Sequence, residues 1–172
     1  LKTNTGKELF VVEPGFIDLY GKIKRSPQII PRKDIASIVA TAGIGKNSIV
    51  VDAGTGSGAL ALFLGNIAKK VITYEIREDF ANIAEENIQL LQLKNVTIKK
   101  KDVYSGIDEK DADVVCLDLP EPWKAIEAAA KALKVGGFIV SYSPTVPQVS
   151  DFLAAAAKNK SFLQAKAATS PA

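Results

Sequence analysis

The stretch "SIVVDAGTGSGAL", residues 48–60, joins a continuous apolar run to three glycines packed into five positions, Gly54 to Gly58. The run is too short for a helix and shows no alternation, so residues 48–53 read as a strand buried on both faces. A helix follows from about Gly58 to Ile67. Working outward, "KVITYEI" (70–76) is a second strand and residues 77–92 are the clearest helix. There Phe80, Ile83, Ala84, Ile88 and Leu91 share one face. Strands follow at 95–100, 112–119 and 137–143, with a helix at roughly 122–134 and a last one from Val146 to Lys158. Strands alternating with helices imply a parallel sheet with right-handed crossovers, a doubly wound α/β domain. Ligands of such sheets bind at the C-terminal ends of the strands.

Upstream, residues 8–23 read as two short strands, "ELFVVE" and "FIDLYGKI", around a Pro14-Gly15 turn. This gives a short N-terminal β segment. "RSPQIIPRKD" carries two prolines and reads as a loop, with Asp34 opening a helix through Ile35, Ile38, Val39 and Ile44. The closing "KAATSPA" reads as a tail.

The chain has 172 residues, 47% of them hydrophobic, enough for one domain with a real core. Charges interrupt every apolar run well short of a membrane span, so no membrane partner is expected. Cys116 is the sole cysteine and histidine is absent. An intrachain disulfide is therefore excluded, which suits a reducing cytoplasm. A zinc site and serine–histidine catalysis lack their residues, so no metal is expected. A net charge of +3 permits an RNA partner without demanding one. The chain begins at Leu1 and has no methionine, so trimmed ends are expected.

Three glycines exclude side chains from the turn after the first strand. The dinucleotide fingerprint G-x-G-x-x-G places its third glycine one residue later, and the Lys-Ser/Thr pair of a P-loop is absent. A bare strand-to-helix turn is the alternative reading of the glycines. Glu75 changes the balance. It ends the second strand about 20 residues after the first glycine, where a carboxylate accepts hydrogen bonds from both ribose hydroxyls of a ligand on the loop. After the third strand, Asp102 is placed to accept from an adenine amine and Val103 to cover the ring; turn initiation explains Asp102 as readily. Lys99, Lys100 and Lys101 read as a solvated sheet edge more than as an RNA patch. The fourth strand ends in "LDLPEPW", Leu117 to Trp123. Its two prolines stiffen the loop and hold Asp118 at the strand tip, a rigid rim with an acceptor that suits a planar base.

Together "GTGSGAL", "YEIREDF", "DVYSGI", "LDLPEPW" and "LKVGGFIVSYSPTVPQV" resemble the class I S-adenosylmethionine-dependent methyltransferases, and more narrowly the tRNA adenine N1-methyltransferases that act at position 58, some archaeal members also at 57. "QII" followed by "KD" (28–34) strengthens the narrower resemblance, which spans about residues 5–155. It implies a Rossmann-like fold with S-adenosylmethionine as cofactor. Gly54, Gly56 and Gly58 would line its methionine part, Glu75 its ribose and Asp102 its adenine, with Gln28 near cofactor and substrate. Thr55, Ser57, Ile76 and Val103 are counted with them as cofactor-binding positions. Asp118 would face the target adenine. The resemblance also implies tRNA as partner and a homotetramer.

Three departures stand out. The family carries an aromatic residue or histidine where this chain has Pro31. Its N-terminal β domain is longer, so residues 1–25 are expected to be a remnant, 26–160 the cofactor-binding domain and 161–172 a tail. Two further strands follow the last helix in the family, and the dozen or so residues after Lys160 are too few for them. The expectation is that these strands are missing from this chain. Two other readings stay open: a methyltransferase of another substrate, favoured by Pro31, and a non-catalytic RNA-binding subunit. A nicotinamide enzyme is further off, because the glycine spacing is wrong.

Overall fold

The structure is a computed structural model describing residues 1–25 and 28–168. Its centre is a five-stranded, all-parallel sheet: β1 (Ile49–Ala53), β2 (Lys70–Tyr74), β3 (Val96–Lys99), β4 (Ala112–Leu117) and β5 (Leu133–Ser141), in the order β3-β2-β1-β4-β5. Helices α1 (Phe16–Tyr20) and α2 (Arg32–Ala42) precede it. Helices α3 (Ala59–Gly65), α4 (Glu78–Leu90), α5 (Ile126–Ala132) and α6 (Val146–Lys158) follow β1, β2, β4 and β5. The doubly wound α/β expectation holds.

Alternation along the central strands explains the two layers of helices. Val51, Ala53, Ile72, Val115 and Leu117 face one cluster, closed by Ala129, Phe152 and Ala156 of α5 and α6. Val50, Val71, Val114 and Cys116 face the other, closed by Ile35 and Ile38 of α2 and Leu60 and Leu64 of α3. With helices on both faces, neither set of side chains meets water, and so "SIVVDA" reads as a continuous apolar run.

The N-terminal β segment is not formed. Residues 16–20 are helical, and residues 8–13 contribute only Glu8, in an isolated bridge with Lys2. The physical reason lies in the spacing. Phe16, Leu19, Tyr20 and Ile23 follow i, i+3, i+4, i+7 and share one helical face. As a strand, Phe16 and Tyr20 would share their face with Asp18. The helix instead packs its aromatic pair on Phe63, with the Tyr20 and Phe63 rings edge-on at 5.6 Å. The Asp18 carboxylate accepts from the Gly15 N–H (2.9 Å) at the helix start. Tyr20 and Ile23 join Ala59, Leu62 and Leu91 in a third cluster. Helix α2 begins at Arg32, ahead of Asp34, because the extended Pro31 offers its carbonyl to the N–H groups of Asp34 (2.9 Å) and Ile35 (3.0 Å).

Ladder register aligns the strand tips. Ala53 pairs with Tyr74 and with Leu117, and Leu117 with Ser141. Gly54, Glu75, Asp118 and Tyr142, each one residue further on, therefore share the C-terminal edge of the sheet. The strand order reverses between β1 and β4, which makes that edge the crevice where such folds bind ligands.

Candidate active site

The turn after β1 needs its glycines. Gly54, Gly56 and Gly58 have φ of +89°, +53° and +85°, a region L side chains rarely adopt. At Gly54 a Cβ would lie 2.0 Å from the backbone oxygen of Asp118, so the β1 and β4 tips touch backbone to backbone. Gly58 caps α3 and accepts from Leu62 N–H at 2.8 Å. The turn thus presents bare backbone on the ligand edge.

Glu75 is buried against this turn. One carboxylate oxygen accepts from the Gly56 N–H (2.9 Å) and the other from the Arg77 N–H (2.9 Å). A carboxylate has about four acceptor sites, so two remain for a ligand diol. Asp102 is exposed and accepts from the Tyr104 N–H at 2.8 Å, initiating a short 3₁₀ turn (Val103–Ser105). The turn-initiating reading is therefore real, and one Asp102 oxygen still has no bond among the described residues. Val103 is buried in the core, whereas Ile76 is 68% exposed. The free apolar surface for a ring lies on Ile76. Thr55 and Ser57 are buried too, and they support the loop from behind. Gln28 is exposed, two residues before the buried Ile30.

Asp118 stands at the β4 tip, its N–H donating to Ala53 O (2.8 Å). Among the described residues its carboxylate accepts no hydrogen bond. Burial alone pushes its pKa up to about 6. Ile30, Ile38, Leu60, Leu117, Val140 and Tyr142 lie around it.

Three features escaped the sequence reading. Asp52, inside β1, is 1% exposed and accepts from the Thr73 hydroxyl (2.6 Å), which in turn meets the Thr55 hydroxyl (2.6 Å). Burial, offset in part by the Thr73 bond and reinforced by Asp118 and Glu75, pushes Asp52 up to about 7. A charged residue in a strand buried on both faces was the available signal. Tyr142 donates to Asp34 (3.1 Å), tying the β5 tip to α2 beside Asp118. Asn87, an amide on the inner face of α4, holds both Lys24 N–H and Lys24 O at 2.8 Å and donates to Ser57 O at 2.9 Å. It fixes the glycine turn to the segment leading into α2.

Among the described residues, the buried side-chain polar atoms without a partner are Asp34 Oδ1, Asp52 Oδ1 and Ser57 Oγ. All three flank the glycine turn or the Asp118 strand tip. Unused polar capacity is normally rare, and its concentration here fits a site for a polar ligand. The glycine turn leaves its backbone bare beside the two Glu75 acceptor positions that have no partner among the described residues.

The lysines after β3 do not join this site. Lys99 pairs with Asp108 (3.2 Å) and Glu109 (2.6 Å), Lys101 with Asp108, and Lys100 lies 3.9 Å from Glu78 and from Glu85. Among the described residues, no group of carboxylates or thiols could hold a metal and no helix is long and apolar enough to cross a membrane.

Comparisons with known proteins identify the family and fold. The sequence model for the family described as "tRNA methyltransferase complex GCD14 subunit" matches residues 20–167. The chain is 40% identical to the tRNA (adenine(57)-N(1)/adenine(58)-N(1))-methyltransferase TrmI of Methanocaldococcus jannaschii, over 87% of this chain and 64% of that protein. Among solved structures it superposes on a SAM-dependent O-methyltransferase of Thermotoga maritima (TM-score 0.82, 36% identity, 92% of this chain and 61% of that one). It also superposes on the tRNA (m1A58) methyltransferase TrmI of Aquifex aeolicus (TM-score 0.78, 30% identity, 84% and 60%). The chain thus spans less than two thirds of the length of these relatives. Glycine turn, strand-tip acids and family match converge: the chain belongs to the GCD14 family of tRNA methyltransferase subunits.

Proposed function

We propose that the protein transfers a methyl group from S-adenosylmethionine to N1 of an adenine in tRNA, at position 58 and, in the manner of the archaeal relative, also at 57. The observation that carries this is Asp118. Among the described residues it is a carboxylate without a hydrogen bond, at the strand-order reversal, its backbone set directly against that of the glycine turn.

Gly54, Gly56 and Gly58 would hold the methionine part of the cofactor, Glu75 its ribose, and Asp102 and Ile76 its adenine. When bound, the cofactor supplies an electrophilic methyl on a sulfonium. The chain's own residues then work by position and charge. Adenine N1 is a weak nucleophile because its lone pair is shared with the ring and the 6-amino group. Asp118, accepting a hydrogen bond from that amine, pushes electron density to N1. It also counters the positive charge that the base gains as the new C–N bond forms. A charge-assisted bond of this kind contributes roughly 1.5–3 kcal/mol, one to two orders of magnitude in rate. Tyr142, held by Asp34, lies beside it. Cys116 takes no part: burial first, and Asp52 second, raises its thiol pKa.

A homotetramer follows from the family resemblance, and the exposed run Leu9 to Val12 offers apolar surface for such an assembly. The lone buried thiol suits the cytoplasm. The test is mass spectrometry of nucleosides after incubation with S-adenosylmethionine and unmodified tRNA. N1-methyladenosine supports the proposal. Another methylated nucleoside, or none with bound cofactor, contradicts it.

A further inference from the structure

Ala81, Ala84 and Asn87 are the buried residues of α4. Their three-residue spacing puts them on one face of the helix. That face meets the glycine turn: a Cβ on Gly58 would stand 3.3 Å from the Cβ of Ala84. The two alanines let the turn come close. Asn87, 1% exposed, is the one polar member of the three. A buried amide costs stability unless its hydrogen bonds are met.

The Asn87 bonds all go to main chain. Its Oδ1 accepts from the Lys24 N–H (2.8 Å), and its Nδ2 donates to Lys24 O (2.8 Å) and to Ser57 O (2.9 Å). One donor and two carbonyls are served at once. A carboxylate has no hydrogen to give the carbonyls, and a hydroxyl has only one.

The bond to Ser57 O acts at a place where the backbone is free to turn. That carbonyl belongs to the Ser57–Gly58 peptide, and Gly58 has φ of +85°. Glycine adopts either sign of φ at little cost, so the turn's own sterics do not fix this peptide. Among the described residues the Ser57 carbonyl has no backbone partner, and Asn87 supplies its hydrogen bond. With the carbonyl held on α4, the N–H of the same peptide reaches Thr55 O (2.7 Å) and closes the turn. Between them, the Gly56 N–H meets Glu75 (2.9 Å).

A second bond joins the N-terminal segment to this region without that role. The Tyr20 hydroxyl donates to Ala59 O (3.0 Å), but Ala59 opens α3, and the helix itself orients its carbonyl.

We propose that Asn87 is a positioning residue for the cofactor. It holds the Ser57–Gly58 peptide in the orientation that receives S-adenosylmethionine and couples that orientation to the Lys24 backbone. Cofactor on the turn therefore tightens the bonds at Lys24, and loss of the Asn87 amide weakens a ligand that Asn87 does not touch. This rests on the cofactor reading above.

The test is calorimetric affinity for S-adenosylmethionine in wild type, Asn87→Asp and Tyr20→Phe, with NMR-detected hydrogen exchange of wild type, free and cofactor-saturated. Asn87→Asp keeps the size and the acceptor for Lys24 N–H but gives nothing to the two carbonyls. Its affinity should fall at least about tenfold, as when the receptive orientation drops to about a tenth of the population. Tyr20→Phe should lower the denaturant midpoint yet bind the cofactor as wild type does. In wild type, saturating cofactor should slow exchange of the Lys24 amide at least about fivefold more than that of Lys22, whose N–H bonds within its own segment, to Leu19 O (2.8 Å). This reading needs no variant, so it decides the matter even where Asn87→Asp does not fold. Wild-type affinity in folded Asn87→Asp, an equal loss in Tyr20→Phe, or equal slowing at Lys24 and Lys22 overturns the positioning role and leaves the cofactor reading intact. A wild type that does not bind S-adenosylmethionine overturns both.

Discussion

The α-carbon of Gly54 faces the backbone oxygen of Asp118 so closely that a single added methyl carbon would stand 2.0 Å from it. The cofactor turn and the strand tip carrying the proposed catalytic acid are therefore one mechanical unit. Whatever shifts one backbone shifts the other.

Gly54→Ala tests that coupling. Its φ of +89° strains any L residue, and the new Cβ would clash with the Asp118 backbone. The expected result is a loss of at least about 1–3 kcal/mol of stability, the scale for a sparsely populated backbone conformation. Methylation should fall even at temperatures where the variant stays folded. Chemical denaturation and single-turnover kinetics check the two parts.

Glu75→Gln keeps the side chain's shape but sets an amide NH2 against one of two backbone N–H groups, those of Gly56 and Arg77. It also withdraws the charged acceptors that Glu75 is proposed to offer the ribose. Affinity for S-adenosylmethionine should fall by about 1.5–3 kcal/mol, the range for hydrogen bonds to charged groups. Calorimetry reads this directly, and unchanged affinity removes Glu75 from the site.

Asp52 makes stability depend on pH. Its folded pKa, about 7, lies above the ordinary carboxylate value of 3.8, so the native state holds a proton that the unfolded state releases. The contribution is fully present below about 4 and is lost as pH rises through about 7. Asp52→Asn keeps an acceptor for Thr73 and removes the titration. Denaturant midpoints of wild type should decline from pH 5 to pH 8 more steeply than those of the variant.

Much of this was legible in the sequence because strands buried on both faces and glycines before a helix carry strong local signals. Ile49–Ala53, the helix on residues 78–90 and the final helix were readable from apolar spacing alone. Phe16 to Ile23 was misread because β-branched and aromatic residues next to Pro-Gly suggest a hairpin. The four-residue spacing of Phe16 and Tyr20 was the better guide, since it let both rings reach Phe63. The strand-tip positions of Glu75 and Asp118 were legible because each directly follows a clear apolar strand. Asp52 and Asn87 were not, because a polar residue in an apolar pattern does not name its partner. Thr73 and Lys24 are distant in sequence and meet them only once the sheet has formed.

The central claim is that ionised Asp118 activates the adenine, and the pH dependence of single-turnover tRNA methylation in wild type and Asp118→Asn tests it most directly. With a folded pKa of about 6, Asp118 accepts from the amine only when deprotonated. The wild-type rate should rise with pH through about 6 and level off above 7. Asp118→Asn should be at least about tenfold slower at pH 8, a loss of ~1.4 kcal/mol of transition-state stabilisation. Its profile should be flat across pH 6, with cofactor affinity unchanged. A variant that matches wild type in rate and keeps the same inflection would contradict the account.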